Sequence, residues 1–291
     1  MTYARDDAIR LYDAYTHEHL DRRRLLRDMT VLAGSAAAAE ALIGAIAASP
    51  AAAQVVPAED PRLRIVRRTE QVAGRPLNLY GAQLRDAKTT RGAVLVIHEN
   101  RGLNAHIEDV TRRMALAGFV AAAPDFLTAQ GGTPTDADVA RQMIGQADYD
   151  LLLAQAAGLL DMIGNQTSGR VKIGAVGFCW GGAFVNRLAV AAGPKLAAGV
   201  SYYGPAPAPT EAAKVQAAMM IHLAGNDSRV NTTGLPWIEA LKAAGKEVEG
   251  HVYPGAEHAF NNDTSAERYN KQAAELAWGR TTEFLRRELD A

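Results

Sequence analysis

From about residue 60 the chain alternates short apolar runs with amphipathic segments, and several of the runs are continuous rather than interleaved with polar residues. Gly92-Ala93-Val94-Leu95-Val96-Ile97-His98 is the clearest of these, and Val171–Phe178, Ala198–Tyr203 and Met219–Ala224 are similar. A strand can be apolar on both faces only if both faces are covered, which is the condition of a parallel sheet between helix layers. Between the runs, His106–Ala117, Leu151–Ile163, Gly181–Ala192 and Leu235–Ala244 read as helices, and Ala266–Leu289 reads as a C-terminal helix. Phe119–Pro124 is a further strand and Val248–Tyr253 a last one, while Leu63–Val72 and Leu77–Leu84 alternate in polarity as edge strands do. Residues 128–147 are rich in Gly, Thr and Asp and are expected to form a loop or lid. The expected fold is therefore α/β, with a mostly parallel sheet, right-handed crossovers and a functional site at the carboxyl ends of the strands.

Composition narrows the function. With 291 residues and 48% hydrophobic content, the chain can bury one sizeable core without a second large domain. Its 31 basic and 32 acidic residues leave a net charge of −1, which gives no reason to expect a nucleic-acid partner. A small-molecule partner suits this balance. The single cysteine, Cys179, excludes an intramolecular disulfide, and no cysteine cluster has zinc spacing, so no metal or cofactor is expected.

Residues 1–55 differ from residues 56–291. Residues 6–28 are charged and read as one helix ending in Asp21-Arg22-Arg23-Arg24-Leu25-Leu26-Arg27; an alanine-rich apolar run from Met29 to Ala48 follows, closing in Ser49-Pro50-Ala51-Ala52-Ala53. A basic region, an apolar region and a small-residue end are similar to a twin-arginine export signal with an Ala-x-Ala cleavage site. Glu40 inside the apolar run favours the alternative, a helical extension packed on the catalytic domain. The first reading places the protein in the periplasm and the second in the cytoplasm. A membrane span is not expected, because the run is broken and rich in Ala rather than Leu. Oligomeric state is not legible.

A free cysteine is most often a small buried hydrophobe. Cys179, however, stands in Gly177-Phe178-Cys179-Trp180-Gly181-Gly182, directly after an apolar strand and directly before a small-residue helix. This is the nucleophile-elbow pattern of the α/β-hydrolase fold with Cys in place of Ser. Glycines two residues to either side make room for the sharp turn, and the following helix directs its N–H groups and positive end at the thiol, which favours the thiolate.

That fold orders its residues as nucleophile, acid, histidine, each past a strand. Asp227 follows Met219–Ala224, and His258 follows Val248–Tyr253. Asp227 could instead serve only turn chemistry. Of the seven histidines, His17 and His19 lie in the N-terminal segment, His222 and His251 inside strands, His106 at a helix start and His98 at a strand end where it could line the site; only His258 occupies the expected loop. His258 would accept the proton of Cys179 or pair with its thiolate, and Asp227 would fix the imidazole tautomer. The backbone N–H groups of Asn100, after the Val94–His98 strand, and Trp180, after the nucleophile, are the expected oxyanion donors. Glu99 is a second carboxylate near the thiol, or else a loop residue paired with Arg101 or Arg229.

Together, His98-Glu99-Asn100-Arg101-Gly102, the Cys179 elbow, Asp227 and Gly255-Ala256-Glu257-His258-Ala259-Phe260 give a chain that resembles the dienelactone hydrolase (carboxymethylenebutenolidase) family from about residue 60 to the end. The resemblance implies an α/β-hydrolase with a Cys–His–Asp triad, no cofactor, and a small ester or lactone substrate. It also implies that Glu99 pairs with the resting thiol and is displaced by substrate. Arg101, Arg141 and Phe260 are the candidates to touch substrate. The family's dienelactone-cleaving enzymes place an arginine a few residues after the histidine, whereas here His258-Ala259-Phe260-Asn261-Asn262-Asp263 has none, so the reaction class is implied more firmly than the substrate. The competing readings are an amide or acyl-peptide hydrolase on the same fold, and a redox-sensing thiol protein. The last is disfavoured because no resolving cysteine exists.

Overall fold

The structure, a computed structural model, describes residues 2–18, 20–47, 54–87, 90–167 and 169–290. Its centre is an eight-stranded sheet of β1 (Leu63–Val72), β2 (Arg75–Leu84), β3 (Ala93–Ile97), β4 (Val120–Asp125), β5 (Ile173–Phe178), β6 (Ala198–Tyr202), β7 (Ala218–Ala224) and β8 (Val248–Tyr253). The order across the sheet is β1-β2-β4-β3-β5-β6-β7-β8. β1 and β2 join antiparallel at one edge, and every pairing from β4 to β8 is parallel. β3, β5, β6 and β7 are buried along their whole length, as their continuous apolar sequences require, whereas β1 and β8, at the two edges, are largely exposed or half-buried; β2, expected as an edge strand, is paired on both sides, to β1 and β4.

The period of two along each strand divides the core. Leu95, Ile97, Ala175, Met219 and Ile221 face α6 (Tyr149–Gln166), α7 (Trp180–Ala191) and α8 (Ser228–Ala243). Val94, Val96, Val176, Val200 and Met220 face α4 (Ala105–Leu116) and α9 (Lys271–Leu289) on the opposite side. The mixed α/β architecture expected from the sequence is thus the one observed.

Three local expectations are corrected. Residues 6–28 do not form one helix: α1 (Thr2–His17) ends, and α2 (Arg22–Ala33) begins afresh with Asp21 as its cap, accepting the Arg24 N–H at 2.8 Å. Residues 128–147 are not all loop, because they contain α5 (Ala137–Gly145). Asp136, which reads as a turn residue, caps α5 by accepting the N–H groups of Asp138 and Val139, and Ala140 and Ile144 pack one turn apart against Leu127. α8 begins at Ser228, well before Leu235, because Asp227 supplies its cap.

α1, α2 and α3 (Ala36–Ile46) enclose a small core of Ala8, Ile9, Tyr12, Tyr15, Leu25, Met29, Ala39 and Ile46. α2 and α3 turn through 109° at Gly34, whose φ of +81° suits glycine, and no single described helix is long and apolar enough to cross a membrane. The cleavage-like Ser49–Ala53 stretch and His19 lie outside the described residues. Beyond that stretch the chain is fastened to α4: Asp109 accepts the Val56 N–H at 2.8 Å, and fully buried Arg112 donates to Val56 O, the Tyr80 hydroxyl and Gln54 Oε1. Arg112→Met should therefore cost roughly 3 kcal/mol, because it strands two buried acceptors, Val56 O and the Tyr80 hydroxyl. A shift in the urea midpoint would read this loss, and an unchanged midpoint would refute it.

Candidate active site

The geometry around Cys179 begins with backbone. β5 runs into Cys179, whose φ of +54° and ψ of −112° are unusual for a residue with a side chain, and α7 starts at Trp180. Such a conformation costs on the order of 1–3 kcal/mol and persists only where surroundings enforce it. Here the Cys179 N–H donates to Tyr202 O at 3.0 Å, and close packing does the rest. A Cβ on Gly177 would lie 2.0 Å from Gly181 O, one on Gly181 2.5 Å from the carbonyl oxygens of Ile97 and His98, and one on Gly182 2.5 Å from Tyr202 O. The three glycines let the first turn of α7 press against the ends of β3 and β6. As the first residue of α7, Trp180 has an N–H with no partner one turn earlier in the helix.

Asp227 and His258, on separate loops past β7 and β8, meet at 2.5 Å between Asp227 Oδ2 and His258 Nδ1. The other Asp227 oxygen accepts the Val230 N–H at 3.1 Å, so the α8 cap fixes the carboxylate. His258 Nε2 is buried with no hydrogen-bond partner among the described residues. Nitrogen atoms of His17 and His258 and the Cys179 sulfur lie within 4.8 Å of one another. Burial of His258 works against its charged form, but the negative charges of Cys179 and Asp227 prevail and raise its pKa to about 10. Burial likewise opposes charge on Asp227, and His258 outweighs it, holding the carboxyl below its ordinary range.

Glu99 is buried beside this group and accepts a hydrogen bond from Asn262 Nδ2 at 2.9 Å, so its partner is neither Arg101 nor Arg229. Asn262 lies in the stretch after His258 where the sequence lacks an arginine. His98 does not line the site: it is fully buried, its Nδ1 bonds the Glu99 carbonyl at 2.7 Å, its Nε2 accepts the Phe126 N–H, and its ring stacks on Trp180. Phe260 is also fully buried, among Tyr202, Tyr203 and Tyr253, and turns no surface to the cavity. Arg141 stands on α5 with its guanidinium 4.5 Å from the Tyr15 ring.

The cavity over Cys179 is lined by Thr16, His17, Glu99, Asn100, Arg101, His258, Ala259 and Arg268, and only about 20 Å³ of it is free, enough for about one water. The C-terminal turn of α1 fills the rest. The His17 ring sits edge-on to His258 with centroids 4.6 Å apart, and its Nε2 and Nδ1 are 3.8 and 3.9 Å from the Cys179 sulfur. Asn100 Nδ2 donates to Thr16 O at 3.1 Å, Arg101 to the Tyr12 hydroxyl, and Arg268 to Asp13 Oδ1 at 3.3 Å. Burial, then the positive charge of His258, lowers the His17 pKa well below its ordinary value, so His17 is neutral here.

Sequence reasoning placed Cys179, Asp227, His258, Glu99, Asn100, Arg101 and Trp180 in or around one site, and the structure brings them together. It missed His17, Arg268 and Asn262. Their only local signal was residue type, since the partners of each come from distant parts of the chain.

Comparison with known proteins gives a consistent family. The model of the dienelactone hydrolase family matches residues 80–289. The protein named "Putative carboxymethylenebutenolidase" of Saccharolobus solfataricus is 31% identical over 234 residues, covering 67% of this chain and 89% of that protein. A protein of the same name in Escherichia coli K12 is 29% identical over 255 residues, covering 82% and 93%. Among solved structures, a dienelactone hydrolase homologue from Klebsiella pneumoniae superposes with a TM-score of 0.67 at 25% identity over 77% of this chain and 98% of that one. A dienelactone hydrolase-like phosphotriesterase from metagenomic libraries superposes at 0.68 with 21% identity over 78% and 99%, a likeness of fold alone.

Proposed function

The chain belongs to the dienelactone hydrolase family, and from that premise we propose that it hydrolyses a lactone or carboxylic ester through Cys179, with a covalent acyl-enzyme intermediate. The observation that carries this reading is the Asp227–His258 contact of 2.5 Å, with His258 Nε2 left without a partner beside a cysteine held at positive φ. With Nδ1–H fixed on Asp227, Nε2 exchanges the proton with the thiol.

The Cys179 thiolate attacks the substrate carbonyl, and the carbonyl oxygen takes the negative charge against the N–H groups of Trp180 and Asn100. As the tetrahedral centre collapses, the C–O bond breaks and His258 gives its proton to the leaving oxygen. In a lactone the leaving group stays attached to the acyl chain. His258 then takes a proton from water, whose oxygen attacks the thioester and releases the acid and the thiol. Glu99, held by Asn262 on the cavity wall beside Cys179, is the group we assign to pairing with the cysteine until substrate displaces it. Arg101 and Arg268 line the same cavity and favour a substrate that carries a carboxylate.

Two measurements test this. Mass spectrometry of protein quenched during turnover of an ester and lactone panel should find the acyl group on Cys179; turnover of the panel without such an adduct, or cleavage of peptides in preference to esters, would remove the reading. Asp227→Asn keeps the shape but no longer enforces the tautomer, and should lower kcat by about 10²–10⁴-fold. An unchanged kcat would take Asp227 out of the mechanism.

A further inference from the structure

We propose that His17, Cys179 and His258 form a binding site for a soft divalent cation of the zinc class, which ties helix α1 across the active site. The three residues arrive from different elements: the last turn of α1, the elbow before α7, and the loop after β8. Their ligand atoms all lie within 4.8 Å of one another, and each of them is of a type that zinc prefers.

The distances suit the chemistry. With zinc–sulfur and zinc–nitrogen bonds of ~2.3 and ~2.0–2.1 Å, tetrahedral ligand atoms stand roughly 3.3–3.7 Å apart. The nearer His17 nitrogen is already 3.8 Å from the sulfur. Side-chain adjustments of about 1 Å or less close the triangle around an ion.

The surroundings also suit it. Asp227 holds His258 Nδ1 at 2.5 Å, which leaves Nε2 as the atom directed to the site; a carboxylate behind a histidine is the usual support of a zinc ligand. That Nε2 is buried and unpartnered among the described residues. The cation would displace the one proton that the Cys179 thiol and His258 Nε2 carry between them as acid and base, releasing it to solvent, and sit between thiolate and neutral imidazole. Arg101, Arg229 and Arg268 oppose a cation here, and Asp13, Glu99, Asp227 and the thiolate offset them. The free space of about 20 Å³ over the three ligands is the room available to the ion.

The consequence is a metal-dependent latch. His17 is the only one of the three ligands outside the proposed catalytic set, so metal bound by all three cannot coexist with an open site. Hard cations such as magnesium and calcium, which take oxygen ligands, should have no effect.

The test uses the full chain stripped of metal by a chelator, then titrated with cobalt(II) and zinc(II). We expect one equivalent of cobalt to give a thiolate-to-cobalt charge-transfer band and tetrahedral visible bands, zinc to bleach both, and zinc to slow iodoacetamide alkylation of Cys179 at least tenfold. His17→Ala should weaken zinc binding by at least 100-fold in competition with a chromophoric chelator, and circular dichroism confirms that the variant is folded. His17→Gln serves as a second variant with a side chain of similar reach. Absence of the charge-transfer band in the wild type overturns the site. Equal zinc affinity in wild type and both His17 variants overturns the role of α1, leaving metal on the Cys179–His258 pair alone. The optical readout is independent of hydrolysis, so a failed hydrolase assignment and a failed metal site are distinguishable.

Discussion

Cys179→Ala is expected to lower kcat/KM for a p-nitrophenyl ester by at least about 10⁴-fold, the scale on which loss of a nucleophile from a cooperating triad is felt. The substitution removes only a sulfur from a side chain that is 5% exposed, and alanine can take the same backbone path at no greater steric cost. The fold should survive, so the loss would belong to chemistry. The comparison is best made in both the wild-type and His17→Ala backgrounds, because the contact between His17 and the thiol would otherwise compress the wild-type rate. Activity that persists in both backgrounds would show that another residue attacks the carbonyl.

Gly177→Ala is expected to abolish folding, although it adds a single methyl group. The new Cβ would lie 2.0 Å from Gly181 O and 2.4 Å from the attached carbon, and both atoms are backbone. No side chain can swing aside. Relief requires the first turn of α7 to lift off β5, which opens the junction of β3, β5 and β6 and exposes apolar surface that includes Phe178, Phe184 and Val185. The penalty should exceed about 4 kcal/mol, at the far end of single-substitution effects. Gly164→Ala in α6 is the control: nothing lies within 4 Å of its Cβ, so it should be neutral or stabilise the helix by up to about 1 kcal/mol. A soluble Gly177→Ala protein with the wild-type Tm would mean that the elbow is far softer than its packing indicates.

The two predictions mark what was legible in the sequence. The inner strands were readable because burial on both faces leaves no room for polar residues, as in Val94–Ile97 and Ile173–Phe178. The elbow was readable because its steric demand falls on glycines within two or three residues of Cys179. Asp227 and His258 were readable from chain order past successive strands. The rest depended on tertiary placement. α5 was masked by capping chemistry, since Asp136 serves a turn or a helix equally well. Arg268 looked like part of the C-terminal helix, yet it lies before α9 starts and turns into the cavity. His17 had no local signal beyond its residue type: its significance comes from where α1 docks, and that is set by contacts such as Arg268 with Asp13 and Asn100 with the Thr16 carbonyl.

The docking of α1 has a kinetic consequence. An occluding group on the same chain is present at a fixed effective concentration, so dilution of the protein cannot release it. A substrate competes with the closed state and binds only the open fraction, which multiplies its apparent KM by the ratio of total to open molecules. If one molecule in a hundred is open, KM rises about 100-fold while kcat at saturation is unchanged. With Tyr12, Asp13 and His17 holding α1 over the mouth, opening would act on KM rather than on kcat, and a cation bound at His17 would raise KM further by lowering the open fraction.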